Sequence, residues 1–286
     1  MSQTASDDAI RTETQEDVSA STVKSGSKAA ASSFFGNLFP FLVLALAWEA
    51  VVQLDVFPPV LMPSLADVFA TFWTMLLNGT LFFHLGASVA RLLVGFTIGA
   101  TIGIAIGLVM GQFRPAERFF LPLLSALMPV PALAWIPLFV LWFGLGNTAT
   151  LAVIIFAASL PTAFNTWTGV KTANPVWIRA AQSMGCRGAR MFLKVILPGS
   201  LAMIFTGLRI GLSQSWRALV AGEMLAATAW GMGFAIFDAR EFLATDVMLV
   251  MVLMIGFTGF LIVTVLFGLV EKHTVVKWGM LQEVGA

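Results

Sequence analysis

Long apolar stretches alternate with short polar segments along this chain, a pattern typical of proteins that cross a membrane several times. A membrane-spanning helix needs about 20 mostly apolar residues, because the hydrocarbon core of a bilayer is about 30 Å thick. Several of the stretches exceed the usual length of core helices in soluble proteins, which argues against a soluble α-helical fold. We therefore predict an all-α, polytopic membrane protein with six transmembrane helices. The predicted spans are roughly residues 37–55, 86–111, 119–143, 148–170, 201–227 and 247–270.

The first 33 residues lack this pattern. They are rich in Ser, Thr, Ala and acidic residues, and they contain too few large apolar side chains to offset the entropy lost on ordering. We predict a disordered tail over residues 1–33 and a transmembrane domain over residues 34–286. No cleaved signal peptide is expected, because the apolar run after Lys28 continues to Leu54 without a small-residue cleavage site.

Positive charge is distributed unevenly between the segments that connect the spans. With six spans, the connecting segments alternate between the two sides of the membrane. Twelve of the sixteen Lys and Arg residues then share one side, in the tail, near Arg118, in residues 171–200 or after the last span. Only Arg240 falls on the other side. The positive-inside rule therefore places both termini and residues 171–200 in the cytoplasm. The three remaining arginines, Arg91, Arg209 and Arg217, lie within spans or at their edges.

Composition excludes several functional classes. Charged residues make up 11% of the chain, against about 25% in soluble proteins, and the net charge of +1 argues against binding to nucleic acid. Cys186 is the single cysteine, so an intramolecular disulfide is excluded. His84 and His273 lie outside the predicted spans, and we find no cluster of metal ligands. Neither a metal site nor an intramembrane catalytic site is therefore expected.

The second span carries glycines at every fourth position, which form a ridge on one face of a helix. Such a ridge allows the backbone of another helix to approach closely in the membrane. We interpret it as packing within one subunit, with a dimer interface as the alternative. The glycines are Gly95, Gly99, Gly103, Gly107 and Gly111.

The third span contains Pro129, Pro131 and Pro137. Each proline removes a hydrogen-bond donor, and lipid cannot satisfy the carbonyl that is freed. The disturbed backbone should therefore face either packed protein or a water-filled pathway, and both interpretations remain open.

Ionisable and polar residues within spans usually face the protein interior or a cavity. Glu49 and Arg91 lie at similar depths in the first two spans, and we predict a structural ion pair between them. Arg217 could attract an anion through its planar guanidinium or pair with an acidic group of another span. The candidate residues of a substrate pathway are Pro131, Trp135, Ser213, Gln214, Arg217 and Glu223.

The basic segment between the fourth and fifth spans has strong helix signals. Asn174 followed by Pro175 predicts a helix start, and Gly185 suits a left-handed cap about ten residues later. After Gly185 a helical pattern resumes. We predict two short helices that meet at Gly185 and lie across the cytoplasmic face. Their basic residues are Arg179, Arg187, Arg190 and Lys194.

The spacing within this segment resembles that of permease subunits of ATP-binding-cassette (ABC) importers. In that family a cytoplasmic loop carries Glu-Ala-Ala, three residues, Gly, nine residues and Ile-x-Leu-Pro. This chain has Ala180-Ala181, Gly185 and Leu197-Pro198 at the same spacing. It departs from the pattern at Arg179, which replaces the Glu, and at Val195, which replaces the Ile.

Residues 38–280 resemble the nitrate, sulfonate and taurine permeases, through "PVPALAWIPLFVLWFGLGNT", "GLRIGLS" and the acidic residue of "AGEM". "IRAAQSMG" and "EFLATDV" are most similar to the taurine branch. The resemblance implies a type I importer fold and a coupling loop, residues 171–200, that docks on a separate ATPase. The expected ATPase-coupling residues are Arg179, Ala180, Ala181, Gly185, Arg187, Leu197 and Pro198.

The same resemblance implies a bacterial inner-membrane complex of two permease subunits, expected to be a homodimer, with two ATPase subunits and a periplasmic binding protein. ATP and Mg²⁺ are expected on the ATPase and no cofactor on this chain, which lacks a G-x-x-x-x-G-K-[ST] motif. The expected substrate is taurine or another sulfonate, with nitrate, bicarbonate or an organic carboxylate as alternatives. An ion-coupled secondary transporter is an alternative of another class, although we find no convincing inverted repeat.

Overall fold

The computed structural model describes residues 39–226 and 229–271. The predicted tail, residues 1–33, lies outside these ranges, as does the C-terminal segment with His273. All regular secondary structure in the described ranges is helical, as predicted. The chain divides into two compact units, Met1–Ala66 and Asp67–Ala286.

The described part of the first unit contains one apolar helix, α1 (Phe39–Gln53), which covers most of the first predicted span. A loop returns against this helix. The indole Nε1 of Trp48 donates to the carbonyl of Pro63 at 3.2 Å, and the carboxylate of Glu49 accepts from the backbone N–H of Leu65 at 3.2 Å. Glu49 thus stabilises the loop that follows α1.

Four helices of the second unit, α3, α6, α8 and α10, are long and apolar enough to span a membrane. The remaining helices are shorter, and they include α2 and α9 in segments for which no helix was predicted. A 3₁₀ turn, Ala132–Trp135, precedes α5. The bounds are α2 Leu65–Leu77, α3 Thr80–Gln112, α4 Arg114–Leu127, α5 Ile136–Phe143, α6 Asn147–Lys171, α7 Pro175–Ser183, α8 Gly188–Leu225, α9 Met232–Glu241 and α10 Thr245–Leu269.

The third predicted span is broken rather than continuous. Helices α4 and α5 are bent by 95° relative to each other, and the chain between them contains Pro129 and Pro131. Neither proline can donate to the carbonyl four residues earlier, so a helix cannot continue through both positions without losing bonds. The third predicted span is therefore sharply bent, at the prolines where the sequence predicts a disturbed backbone.

The glycine ridge of α3 packs against α6 within the same chain. A Cβ built on Gly99 would lie 2.5 Å from the carbonyl oxygen of Ile155, and one on Gly103 would lie 2.6 Å from that of Ser159. The other three glycines of the ridge also contact α6 at distances too short for a Cβ. The ridge therefore serves helix packing within one subunit, which confirms the first of its two interpretations.

Helix α8 is longer than the predicted fifth span because it includes the second half of the basic segment. It runs unbroken from Gly188 to Leu225, with a widened π-helical stretch at Phe192–Ile196 in which the N–H of Leu197 bonds the carbonyl of Phe192, five residues earlier. Pro198 follows at once and has no N–H of its own, which favours a local change of hydrogen-bond register. The second predicted short helix is thus the beginning of α8.

Candidate coupling loop, pathway residues and a buried carboxylate

The short helix α7 has both of the caps that the sequence predicts. The side chain of Asn174 accepts from the N–H of Val176 at 2.9 Å, with Pro175 at the first helical position. At the other end Gly185 has a φ of +78°. The N–H of Gly185 bonds Gln182, and that of Cys186 bonds Ala181, both at 2.9 Å. This is a Schellman motif, in which a left-handed glycine closes the helix.

One face of α7 packs against the beginning of α8, and the other is exposed. Ala181 is buried, and the ring of Trp177 lies beside Gly199 of α8. The outward side chains combine apolar and basic groups, with Val176 58% exposed and Met184 81% exposed. We define the coupling surface as the exposed residues Val176, Arg179, Ala180, Met184, Gly185 and Arg187.

The predicted coupling residues therefore fall into two groups. Arg179, Ala180, Gly185 and Arg187 are exposed on the coupling surface, whereas Ala181 packs inward. Leu197 and Pro198 are half-buried within α8. They lie directly after the π-helical stretch, so they shape the base of the loop rather than its surface.

Two of the predicted pathway residues meet at one cavity of about 170 Å³. Pro131 contributes from the break between α4 and α5, and Gln214 contributes from α8. The proline-disturbed backbone thus borders a cavity, as one of the two interpretations of the prolines requires. The cavity is also lined by Met128, Pro129, Val130, Ala132, Phe156, Ala157, Leu160, Pro161 and Ile210.

Trp135, Ser213 and Arg217 are not among the residues that line this cavity. The ring of Trp135 lies 5.1 Å from that of Phe156, which lines the cavity. Arg217 is exposed and lies three residues beyond Gln214, on the same face of α8. Its Nε donates to the carbonyl of Ser213 at 3.3 Å, and Ser213 itself is half-buried.

Glu223 does not lie on this exposed face. Its side chain is fully buried, and its Oε1 lies 2.7 Å from the Nη1 of Arg91 in α3. The hydroxyl of Ser88 also donates to the carboxylate, at 2.8 Å, and the N–H of Gly233 donates to Oε2 at 2.9 Å. We therefore assign Glu223 to a buried network and not to the pathway.

The ion pair predicted between Glu49 and Arg91 stays a prediction, because the two residues belong to different units. Arg91 pairs with Glu223 and donates from Nε to Asn147 at 2.7 Å, while Glu49 bonds backbone within its own unit. The two partners of Arg91, Glu223 and Asn147, could not be predicted from the sequence, because they depend on how α3, α6 and α8 are rotated about their axes. The available signal was that Arg91 and Glu223 both lie in apolar helices, where an opposite charge is the usual partner.

Comparison with known proteins identifies the family. Residues 99–273 match the model of the family described as "Binding-protein-dependent transport system inner membrane component". The taurine transport system permease protein of Escherichia coli is 38% identical over 77% of this chain and 82% of that protein. The E. coli putative aliphatic sulfonates transport permease protein is 36% identical over 76% and 82%.

More distant comparisons agree on the fold. The riboflavin transport system permease protein of Chloroflexus aurantiacus is 35% identical over 83% of this chain and 87% of that protein. A chain of the MetNI methionine ABC transporter, solved in inward-facing conformations, superposes with a TM-score of 0.54 at 15% identity, covering 71% of this chain and 97% of that chain. This multi-pass membrane protein therefore belongs to the family of inner membrane components of binding-protein-dependent transport systems.

Proposed function

We propose that this chain is the permease subunit of an ABC importer for taurine or another small aliphatic sulfonate. The observation that carries the proposal is the 38% and 36% identity to permeases named for taurine and aliphatic sulfonate transport. Each match covers about three quarters of the chain. Family membership favours a complex served by a binding protein over the ion-coupled transporter considered from the sequence.

The coupling surface is proposed to dock into a separate ATPase. Its exposed Val176 and Met184 offer apolar contacts, and Arg179 and Arg187 offer cationic ones. Because both ends of α7 are capped, the helix is stabilised against fraying, which suits a segment that transmits movement between subunits. ATP and Mg²⁺ would be held by the ATPase, and this chain would contribute no cofactor site.

Two permease subunits would enclose the substrate pathway between them, as a homodimer or a heterodimer. The exposed stripe of Ile210, Gln214 and Arg217 on α8 supports this arrangement, because it carries polar and cationic groups on a helix that is long enough to span the membrane. Arg217 would attract the sulfonate, since a guanidinium binds oxyanions through paired donors. Both termini and the coupling surface would then lie in the cytoplasm, with a binding protein delivering substrate on the other side.

Uptake by the reconstituted complex tests the proposal. The chain would be placed in proteoliposomes with an ATPase and a binding protein from the same organism, and uptake of radiolabelled taurine would be measured with ATP inside. We expect uptake that requires all three components and is inhibited by an excess of unlabelled alkanesulfonate. Uptake of riboflavin or nitrate in preference to taurine would refute the substrate assignment. Taurine uptake without the ATPase would refute the importer class.

A further inference from the structure

The buried network around Glu223 joins the end of α8 to the beginning of α9. The N–H of Gly233, in the first turn of α9, donates to the Glu223 carboxylate, and the preceding N–H, of Met232, donates to the hydroxyl of Ser88 at 2.9 Å. Ser88 in turn donates to Glu223. The free amides at the start of α9 are therefore satisfied by side chains of α3 and α8. We call Ser88, Arg91, Glu223 and Gly233 the Glu223 joint.

Steric contacts make this joint close-fitting. A Cβ on Gly233 would collide with the carbonyl oxygen of Val220, and a Cβ on Gly231 would collide with the carboxylate of Glu223. On the α3 side, the Nδ1 of His84 lies 2.9 Å from the carbonyl oxygen of Gly231. The start of α9 is thus held against α8 by backbone contact and against α3 by hydrogen bonds.

The opposite end of α8 is the coupling loop. Helix α8 contains 38 residues, which corresponds to about 57 Å at 1.5 Å per residue. It begins next to Arg187 of the coupling surface, and Glu223 lies two residues before its end. A single helix therefore connects the proposed ATPase contact with α9, which carries the exposed charges of Asp238, Arg240 and Glu241.

We propose that Glu223 is a positioning residue which makes α9 move as one body with α8 and the adjoining end of α3. On the proposed function, on which this inference rests, α9 lies on the side where the binding protein docks. Movement of α8 at the coupling loop would then reach that side through the Glu223 joint, and docking at α9 would be communicated to the ATPase by the same route. Glu223 itself contacts no substrate.

The test compares Glu223→Gln with Asp55→Asn, which removes an exposed carboxylate from the loop that follows α1. Both variants would be reconstituted with the ATPase and the binding protein, and ATP hydrolysis would be measured with and without taurine-loaded binding protein. We expect the stimulation of ATP hydrolysis by the loaded binding protein to be at least about fivefold smaller in Glu223→Gln than in wild type, which is within the usual range of coupling between sites. Basal hydrolysis should persist. Asp55→Asn should behave as wild type. Full stimulation in Glu223→Gln would overturn the proposal.

A second variant reaches the joint without removing a charge. Gly233→Ala places a methyl group against the carbonyl of Val220 and should lose stimulation in the same way. If Gly233→Ala and Glu223→Gln instead lost basal hydrolysis and assembly in parallel, a role in folding alone would be indicated and the positioning role refuted.

A distance measurement tests the joint independently of substrate. Spin labels would be attached to cysteines replacing Phe82 and Phe242, both exposed, in a Cys186→Ser background. We expect a narrow distance distribution in the otherwise unchanged chain and a broader one with Glu223→Gln. An unchanged distribution would overturn the joint, even in a complex that does not respond to taurine. If taurine does not stimulate the wild-type complex but Glu223→Gln still broadens the distribution, the proposed substrate is refuted and the joint is not.

Discussion

The ring of Trp177 lies directly beside Gly199, where a built Cβ would stand 3.5 Å from the indole. This contact joins the helix that presents the coupling surface to the base of α8. Trp177 is 52% exposed, so the part of its side chain that does not pack against Gly199 is available to a partner. The residue therefore has both a packing role within the chain and a place at the proposed ATPase contact.

We predict that Trp177→Ala lowers taurine uptake per ATP hydrolysed by the reconstituted complex. The substitution removes the aromatic contact that holds α7 against α8, so part of the ATPase movement is no longer transmitted. Trp142→Ala is the control, since Trp142 is also an exposed tryptophan, at 60%, but lies on α5. A wild-type ratio of uptake to hydrolysis in Trp177→Ala would contradict this role.

Gly185 can be tested through its backbone conformation alone. Its φ of +78° is left-handed, and a built Cβ meets no atom within 4 Å in the described part of the chain. A left-handed conformation costs a residue other than glycine about 1–2 kcal/mol, whereas Asn is the residue that tolerates it best after glycine. We therefore predict that Gly185→Val uncouples ATP hydrolysis from uptake without preventing membrane insertion, and that Gly185→Asn stays close to wild type. Equal uptake by the two variants would show that the cap geometry is unimportant.

The local signals around α7 could be read from the sequence because each acts over a few residues. Asn174, Pro175 and Gly185 specify a helix start and stop without reference to the rest of the fold. The continuity of α8 was missed for the opposite reason. Gly188 and Pro198 both weaken a helical prediction, yet the chain passes through Pro198 by shifting its hydrogen bonds into a π-helical register.

Long-range pairings were harder to predict. The Glu49–Arg91 pair was inferred from similar depth in two predicted spans, but depth does not determine which face of a helix meets which neighbour. Within the second unit Arg91 meets Glu223, 132 residues later in the chain, a pairing that the sequence did not predict. The sequence predicted that the glycine ridge packs closely against another helix. Only the structure identifies that helix as α6.

The glycine ridge provides a matched pair of substitutions on one helix. Gly103→Ala places a methyl group 2.6 Å from the carbonyl oxygen of Ser159, while a Cβ on Gly86 meets nothing within 4 Å in the described ranges. Overpacking of this kind costs about 1–3 kcal/mol, so we predict a lower unfolding temperature in detergent for Gly103→Ala. Gly86→Ala should unfold at or slightly above the wild-type temperature, because Ala is the better helix former. A Gly103→Ala variant as stable as Gly86→Ala would contradict the close contact of α3 with α6.

The exposed position of Arg217 predicts an effect on substrate affinity rather than on assembly. A hydrogen bond to a charged group contributes about 1.5–3 kcal/mol, so Arg217→Ala should raise the KM for taurine uptake by about tenfold or more. Arg217→Lys keeps the charge but not the planar fork, and an intermediate KM is expected. Arg118→Ala removes an exposed arginine from α4, away from α8, and serves as the control. If Arg217→Ala retains the wild-type KM while the complex assembles normally, Arg217 does not contact the substrate, and the anion must be recognised by other residues of the pathway.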